Sequence, residues 1–190
     1  MKKIIAGVDE VGRGSLIGPV YAAAVILNKK INKKKLKDSK KLSKKKREIL
    51  YNYIKKNCIF AIGSASKKEI EKINILNASL LAMKRAVKKL KKKPNLVLID
   101  GNNIPKINYY KIKNIIKGDQ KIPEISAASI IAKVSRDRLI TKLSKKFNRY
   151  YWDRNAGYGT KNHLSAIKKF GITKHHRKTF QPIHNILSLK

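Results

Sequence analysis

Acidic side chains are scarce in this chain of 190 residues, 11 Asp plus Glu against 47 Lys plus Arg, so their positions are informative. Glu48, Glu69, Glu71 and Glu124 have helix-surface or capping explanations, while Asp38 reads as a turn cap and Asp137 as a helix partner for Arg136 or Arg138. Asp9 and Glu10 close one apolar stretch, Asp100 closes a second, and Asp119 stands near the end of a third. If these stretches are neighbouring strands, their terminal carboxylates converge at one edge of a sheet. Such a cluster repels itself and raises its own pKa values unless cations neutralise it. Oxygen-only ligands suit magnesium or manganese better than a structural zinc. Two such ions about 4 Å apart orient and deprotonate water on one side of a phosphodiester and stabilise the departing oxygen on the other. The competing reading is that these carboxylates accept turn hydrogen bonds or pair with the abundant lysines. Adjacent strand residues also point to opposite faces, so Asp9 and Glu10 need a local twist, or a backbone carbonyl, to serve one ion.

The elements that must position these residues are legible as period and punctuation. Lys3 to Val11 and Pro19 to Leu27 read as two strands joined through a turn containing Gly12, Gly14 and Gly18, which makes a hairpin. Ser43 caps a helix with Ile49, Leu50, Tyr53 and Ile54 on its apolar face, and Cys58 to Ala65 reads as a third strand. Ser66 and Glu69 have capping-box spacing, and Ile70, Ile73, Leu76, Leu80, Met83, Val87 and Leu90 follow at steps of three or four, predicting one long helix. Leu96 to Ile99 predicts a short buried strand, Tyr109 to Lys117 another, and Pro123 opens a helix to about Leu139 with a small-residue surface at Ser126 to Ser129. The expected architecture is an α/β or α+β domain with a mixed sheet. Residues 1–145 are expected to form its core, and the aromatic and basic residues 146–190 a C-terminal region packed on it.

A formal charge of +36 suits a polyanionic partner, nucleic acid most simply, although lysine spread through the whole chain weakens any argument from a single lysine. Cys58 alone excludes an intrachain disulfide framework. The eight-residue apolar run from Val20 to Leu27 falls far short of the roughly 20 residues a bilayer-spanning helix needs, so a soluble, cytoplasmic protein is expected.

Several blocks then carry a resemblance: Asp9-Glu10-Val11-Gly12-Arg13-Gly14 with Gly18-Pro19, Asp38-Ser39-Lys40, Leu98-Ile99-Asp100-Gly101, Lys117-Gly118-Asp119, Ser126 through Asp137, and Gly157-Tyr158-Gly159-Thr160 with His163. In this order, over roughly residues 3 to 180, they resemble the ribonuclease HII family, the type 2 ribonucleases H. The resemblance implies an α/β fold, a ribonuclease H-like mixed sheet flanked by helices, with a helical C-terminal region helping to clasp a duplex. It implies an endonuclease that hydrolyses RNA in RNA/DNA hybrids and incises DNA 5′ to embedded ribonucleotides, in replication and repair, leaving 3′-hydroxyl and 5′-phosphate ends. Asp9, Glu10, Asp100 and Asp119 are the implied catalytic ligands of two Mn2+ or Mg2+ ions. Gly12, Arg13 and Gly14 are implied to read the ribose 2′-hydroxyl through main-chain groups, with Tyr158 packing at the junction nucleotide. The family often has proline where this chain has Gly159. Ser39, Lys40, Lys133 and Arg177 are expected substrate contacts, and His163 an organiser of local contacts. Monomeric action is the expectation. The alternatives are a relaxed metal-dependent nuclease without junction reading and a non-catalytic nucleic-acid-binding protein; loss of a carboxylate would favour the latter, and all four are present.

Overall fold

The computed structural model describes residues 3–36 and 42–188, so Asp38, Ser39 and Lys40 lie outside the described residues. Five strands form one sheet: β1 (Ile5–Val11), β2 (Val20–Ile26), β3 (Ile59–Ala65), β4 (Leu96–Asp100) and β5 (Ile112–Ile115), in the order β3-β2-β1-β4-β5. β2 runs antiparallel to both β1 and β3, whereas β4 is added parallel to β1 and β5 parallel to β4. This is the mixed sheet flanked by helices that the sequence predicts.

Helices cover both faces. α1 (Lys44–Asn57) starts at Ser43, whose hydroxyl accepts the Lys46 amide, and α2 (Lys67–Lys88) starts with the full capping box of Ser66 and Glu69. The very short α3 (Gly118–Lys121) precedes α4 (Pro123–Ser144), which runs past the expected end near Leu139. α2 covers one sheet face with Ala78, Ala82, Met83 and Ala86 against Val8, Val20 and Val97. α4 covers the other with Ala127, Ala128, Ile131 and Ala132 against Ala23 and Val25, and Ile54 of α1 joins that cluster.

Two glycines set how close these helices come. A Cβ at Gly7 in β1 would lie 2.0 Å from the Glu124 carbonyl carbon of α4, and one at Gly63 in β3 would lie 2.1 Å from the Ala82 carbonyl oxygen of α2. The predicted face of α2 packs on the sheet through Ile70, Met83 and Val87, with Ile73, Leu80 and Leu90 beside them, and contact this tight adds small residues to it. Alanines at 78, 82 and 86 meet the sheet, whereas Leu76 is 37% exposed. The helix also breaks at Asn74 (φ 63, ψ 169), whose side-chain oxygen accepts the Asn77 amide at 3.0 Å, and this fresh cap shifts the helical phase. The strand expected over Tyr109 to Lys117 shrinks to Ile112–Ile115 because β4 offers partners only from Val97 to Asp100; Tyr109 takes a left-handed turn conformation (φ 68) and is 89% exposed.

Beyond α4 come α5 (Trp152–Asn155), α6 (Lys161–Phe170) and α7 (Gln181–Ser188). Trp152, Tyr150, Ile167 and Ile183 pack with Ile140 of α4 and with Leu16 and Ile17 of the β1–β2 loop. That loop pairs with the C-terminal residues through isolated bridges, Ser15 with Tyr158 and Ile17 with His176. No helix of the described residues is long and apolar enough to cross a membrane.

Candidate active site

Parallel pairing of β1 and β4 runs through Val8 opposite Ile99, which leaves Asp9 and Asp100 at the next step of two adjacent strands. β5 pairs Ile115 with Asp100, after which the chain turns through the left-handed Lys117 (φ 55) into α3. The Gly118 amide there donates to Asp100 Oδ1 at 2.7 Å. Asp9, Glu10 and Asp100 line one pocket of ≈ 370 Å³, together with Gly12, Arg13 and Gly14, Ser129 and Lys133 of α4, Arg47 of α1, and Tyr158. Asp119 is 1% exposed, follows the Gly118 whose amide Asp100 holds, and does not itself line the pocket. Both Asp9 and Glu10 reach the pocket although they are adjacent in β1, because the pocket lies at the strand's end rather than over one face of the sheet.

The electrostatics are those of crowded carboxylates. Burial raises Asp9 well above the usual carboxylate range, the charges of Glu10 and Asp100 add to this, and hydrogen bonds from the Ser129 hydroxyl and the Glu10 amide (2.7 Å) oppose it. Burial also raises Glu10, against the pull of Arg13, whose guanidinium is 3.3 Å away. Among the described residues no three Asp, Glu, His or Cys side chains converge as a closed ligand cage. The donors are nevertheless all hard oxygens, buried and mutually repelling, which fits a divalent cation that would reverse both penalties. Opposite them, Lys133 Nζ lies 3.0 Å from Asp137 and 5.8 Å from the Tyr158 ring centroid, and Tyr158 Cε1 is 3.7 Å from where a Cβ on Gly14 would sit. The glycine-rich loop and the aromatic ring therefore face the same space as the carboxylates.

Other residues are placed differently from expectation. Arg177, read as a phosphate contact, is 0% exposed: its Nε donates to the Gly18 carbonyl at 2.9 Å and its Nη1 to the Arg13 carbonyl at 2.9 Å. Burial beneath the loop removes it from direct contact with a substrate. Asp137 pairs with Lys133 rather than with Arg136 or Arg138, and Arg138 pairs with Glu48. Sequence reasoning missed Arg47, Ser129 and Arg136. Arg47 is hidden in a lysine run, and Ser129 was read only as a small packing residue, yet their positions on α1 and α4 bring both to the pocket.

His163 does organise local contacts. Its Nε2 accepts from Trp152 Nε1 at 2.9 Å and lies 3.2 Å from His176 Nε2, while the Thr173 amide donates to His176 Nδ1 at 2.8 Å. Both imidazoles are therefore neutral, and His163 uses its Nδ1 proton to hold the Tyr158 carbonyl at 2.9 Å. Burial lowers His163, and burial with the neighbouring His163 lowers His176 to about 3. The unfolded chain takes up protons near pH 6.5 while the folded one resists, so stability is full above that pH and falls on acidification toward pH 3. Trp152, the one tryptophan, is 0% exposed and reports this region. The urea midpoint of its fluorescence is expected to be lower at pH 5 than at pH 7.5; equal midpoints would show that these histidines do not titrate on unfolding.

Comparison with known proteins agrees with the geometry. A family model described as ribonuclease HII matches residues 6–183. The ribonuclease HII of Pelagibacter ubique is 75% identical over 185 residues, 97% of this chain and 100% of that protein, and the ribonuclease HII of Coxiella burnetii (strain Dugway 5J108-111) is 53% identical over 96% of this chain and 91% of that protein. The crystal structure of ribonuclease H2 from Pyrococcus horikoshii superposes with a TM-score of 0.81 at 27% identity, covering 98% of each chain. With its mixed sheet and the strand-end carboxylates already in place, a match across nearly the whole chain means that this protein belongs to the ribonuclease HII family.

Proposed function

We propose that the pocket at the ends of β1 and β4 is where this ribonuclease HII-type endonuclease cuts RNA/DNA hybrids and, at a single embedded ribonucleotide, the DNA strand on its 5′ side. The observation that carries this reading is the meeting of Asp9, Glu10 and Asp100 with the Gly12-Arg13-Gly14 loop and Tyr158 around one cavity. Magnesium or manganese, two ions in the catalytic complex, would supply Lewis-acid stabilisation of the phosphate and a more acidic water. Asp9, Glu10, Asp100 and Asp119 would hold those ions. Gly12 to Gly14 present main-chain groups to the ribose 2′-hydroxyl, which both donates and accepts. Tyr158 packs on the following sugar, where a second hydroxyl would crowd it. Lys133 and Arg47 bring positive charge to the phosphates beside the cut. Residues 146–190 clasp the duplex, and the protein acts as a monomer in the cytoplasm.

A substrate panel tests this: duplex DNA with one ribonucleotide, an extended RNA/DNA hybrid, all-DNA and all-RNA duplexes, each with magnesium, manganese or chelator. The expected result is nicking of the first two only, abolished by chelator, with 3′-hydroxyl and 5′-phosphate ends. Cutting of all-DNA at comparable efficiency would favour the relaxed nuclease instead.

A further inference from the structure

Arg136 on α4 and Arg177 beyond α6 are both 0% exposed, and among the described residues neither meets a carboxylate at salt-bridge distance. Their donors go almost wholly to main-chain oxygens. Arg136 Nε donates to Pro19 at 3.1 Å, Nη1 to Ala156 at 3.0 Å, and Nη2 to Ile17 at 3.1 Å and to the Ser15 hydroxyl at 2.7 Å. Arg177 takes the carbonyls of Gly18 and Arg13. Four carbonyls of the 13–19 segment thus point inward to two guanidinium groups. Ala156, two residues before Tyr158, is gathered by the same Arg136.

A trans peptide aims its N–H opposite to its C=O, and no peptide bond among the described residues is cis. With the Arg13 carbonyl turned to buried Arg177, the Gly14 amide points away from it, on the pocket side where Gly14 lies. Gly12 (φ 92) is fitted to the same device, since a Cβ there would fall 2.2 Å from Arg136 Nε. The segment is further fixed by the Leu16 amide donating to the Gly157 carbonyl at 2.8 Å and the Arg177 amide donating to the Leu16 carbonyl at 2.8 Å. Keeping two adjacent buried cations is costly: burial lowers Arg136, and burial with the Arg136 charge lowers Arg177 to about 9. Both remain charged at neutral pH. Carbonyl dipoles, the Ser15 hydroxyl and the Phe180 ring, 4.9 Å from the Arg177 guanidinium, balance them, an arrangement better suited to fixing main-chain direction than to maximal stability.

We infer that Arg136 and Arg177 are positioning residues, which set the peptide orientation of the 12–18 loop and its register against Tyr158 and so govern discrimination at a lone ribonucleotide. The inference rests on the reading of the pocket given above. A single embedded ribonucleotide offers one productive register, whereas an extended hybrid offers many, so a loosened loop penalises the first substrate more.

The test measures kcat/KM on both substrates for the wild type, Arg136→Lys, Arg177→Lys and Ser15→Ala, with Tm alongside. Lysine keeps the charge and loses the forked donors. In the Lys variants, activity on the single-ribonucleotide duplex is expected to fall at least about tenfold more than on the hybrid. Equal losses on both substrates, tracking Tm, would reduce the arginines to scaffold and overturn the inference. If the Lys variants do not fold, Ser15→Ala decides, because it removes the 2.7 Å bond to Arg136 and otherwise only the hydroxyl's longer bonds to Ile17 and Ala156, at 3.2 Å and beyond: a ratio shifted about threefold supports positioning, and an unchanged ratio overturns it. Wild-type protein that cuts all-DNA as well as the single-ribonucleotide duplex would instead sink the reading of the pocket, before any variant is compared.

Discussion

Asp9→Asn is expected to abolish turnover while making the cation-free protein more heat-stable. Asp9 is 5% exposed, and burial with the charges of Glu10 and Asp100 already raises its pKa, so its ionised form is held at a cost. Asparagine keeps the shape and an oxygen for the Glu10 amide but removes the charge that attracts a divalent ion. Turnover is expected to fall at least ~10³-fold, about 4 kcal/mol of lost transition-state stabilisation. Duplex affinity changes little, because one charge is set against a formal +36. Relief of repulsion worth ~1 kcal/mol would raise Tm by about 2–4 °C in a chain of this size. Turnover within tenfold of wild type would remove Asp9 from the ligand set; a lower Tm in chelator would show that the carboxylate stabilises the fold.

The second large effect separates the two faces of the sheet. In Gly7→Ala the new methyl meets the Glu124 carbonyl carbon at 2.0 Å and the Ile125 nitrogen at 2.2 Å, both backbone, so α4 has to lift from β1. Overpacking of this kind costs about 1–3 kcal/mol, and Tm is expected to fall by roughly 2–12 °C. α4 also carries Ser129 and Lys133 into the pocket, so kcat falls even well below the new Tm. Gly63→Ala makes the matching clash with the Ala82 carbonyl of α2, which lines no part of that pocket. Its stability loss is expected to be similar, with kcat near wild type at low temperature. Comparable kcat losses in both variants would mean that the sheet transmits the distortion without regard to face.

The strand-end carboxylates were legible because the residues before them are continuously apolar and those after them are turn-formers; Leu96 to Ile99 followed by Asp100-Gly101 is the clearest case. The Ser43 and Ser66 caps were legible for the same local reason. Sequence periodicity found the buried face of α2 at Ile70, Met83 and Val87, but not the alanines that the close approach at Gly63 admits, nor the exposure of Leu76 beside the break at Asn74. The buried arginines were invisible. A cation is ordinarily read as a surface group, and only the assembled fold places Arg136 and Arg177 against carbonyls far away in the chain. Asp119 is expected at the same edge, and the short α3 holds it buried next to the Gly118 that Asp100 binds, a helical placement that strand-end reasoning does not contain.

Arg177 reaches back 164 residues to the carbonyl of Arg13, and Leu16 and Ile17 lie between segments from both sides of α6. During synthesis the sheet residues leave the ribosome long before those partners exist. A nascent chain ending near residue 170 can form all five strands and contain Arg136, and still lack Arg177, the second of the two arginines that orient the loop. Hydrolytic competence therefore arrives late in translation, so unfinished polypeptides carry the acidic cluster without a finished cutting edge.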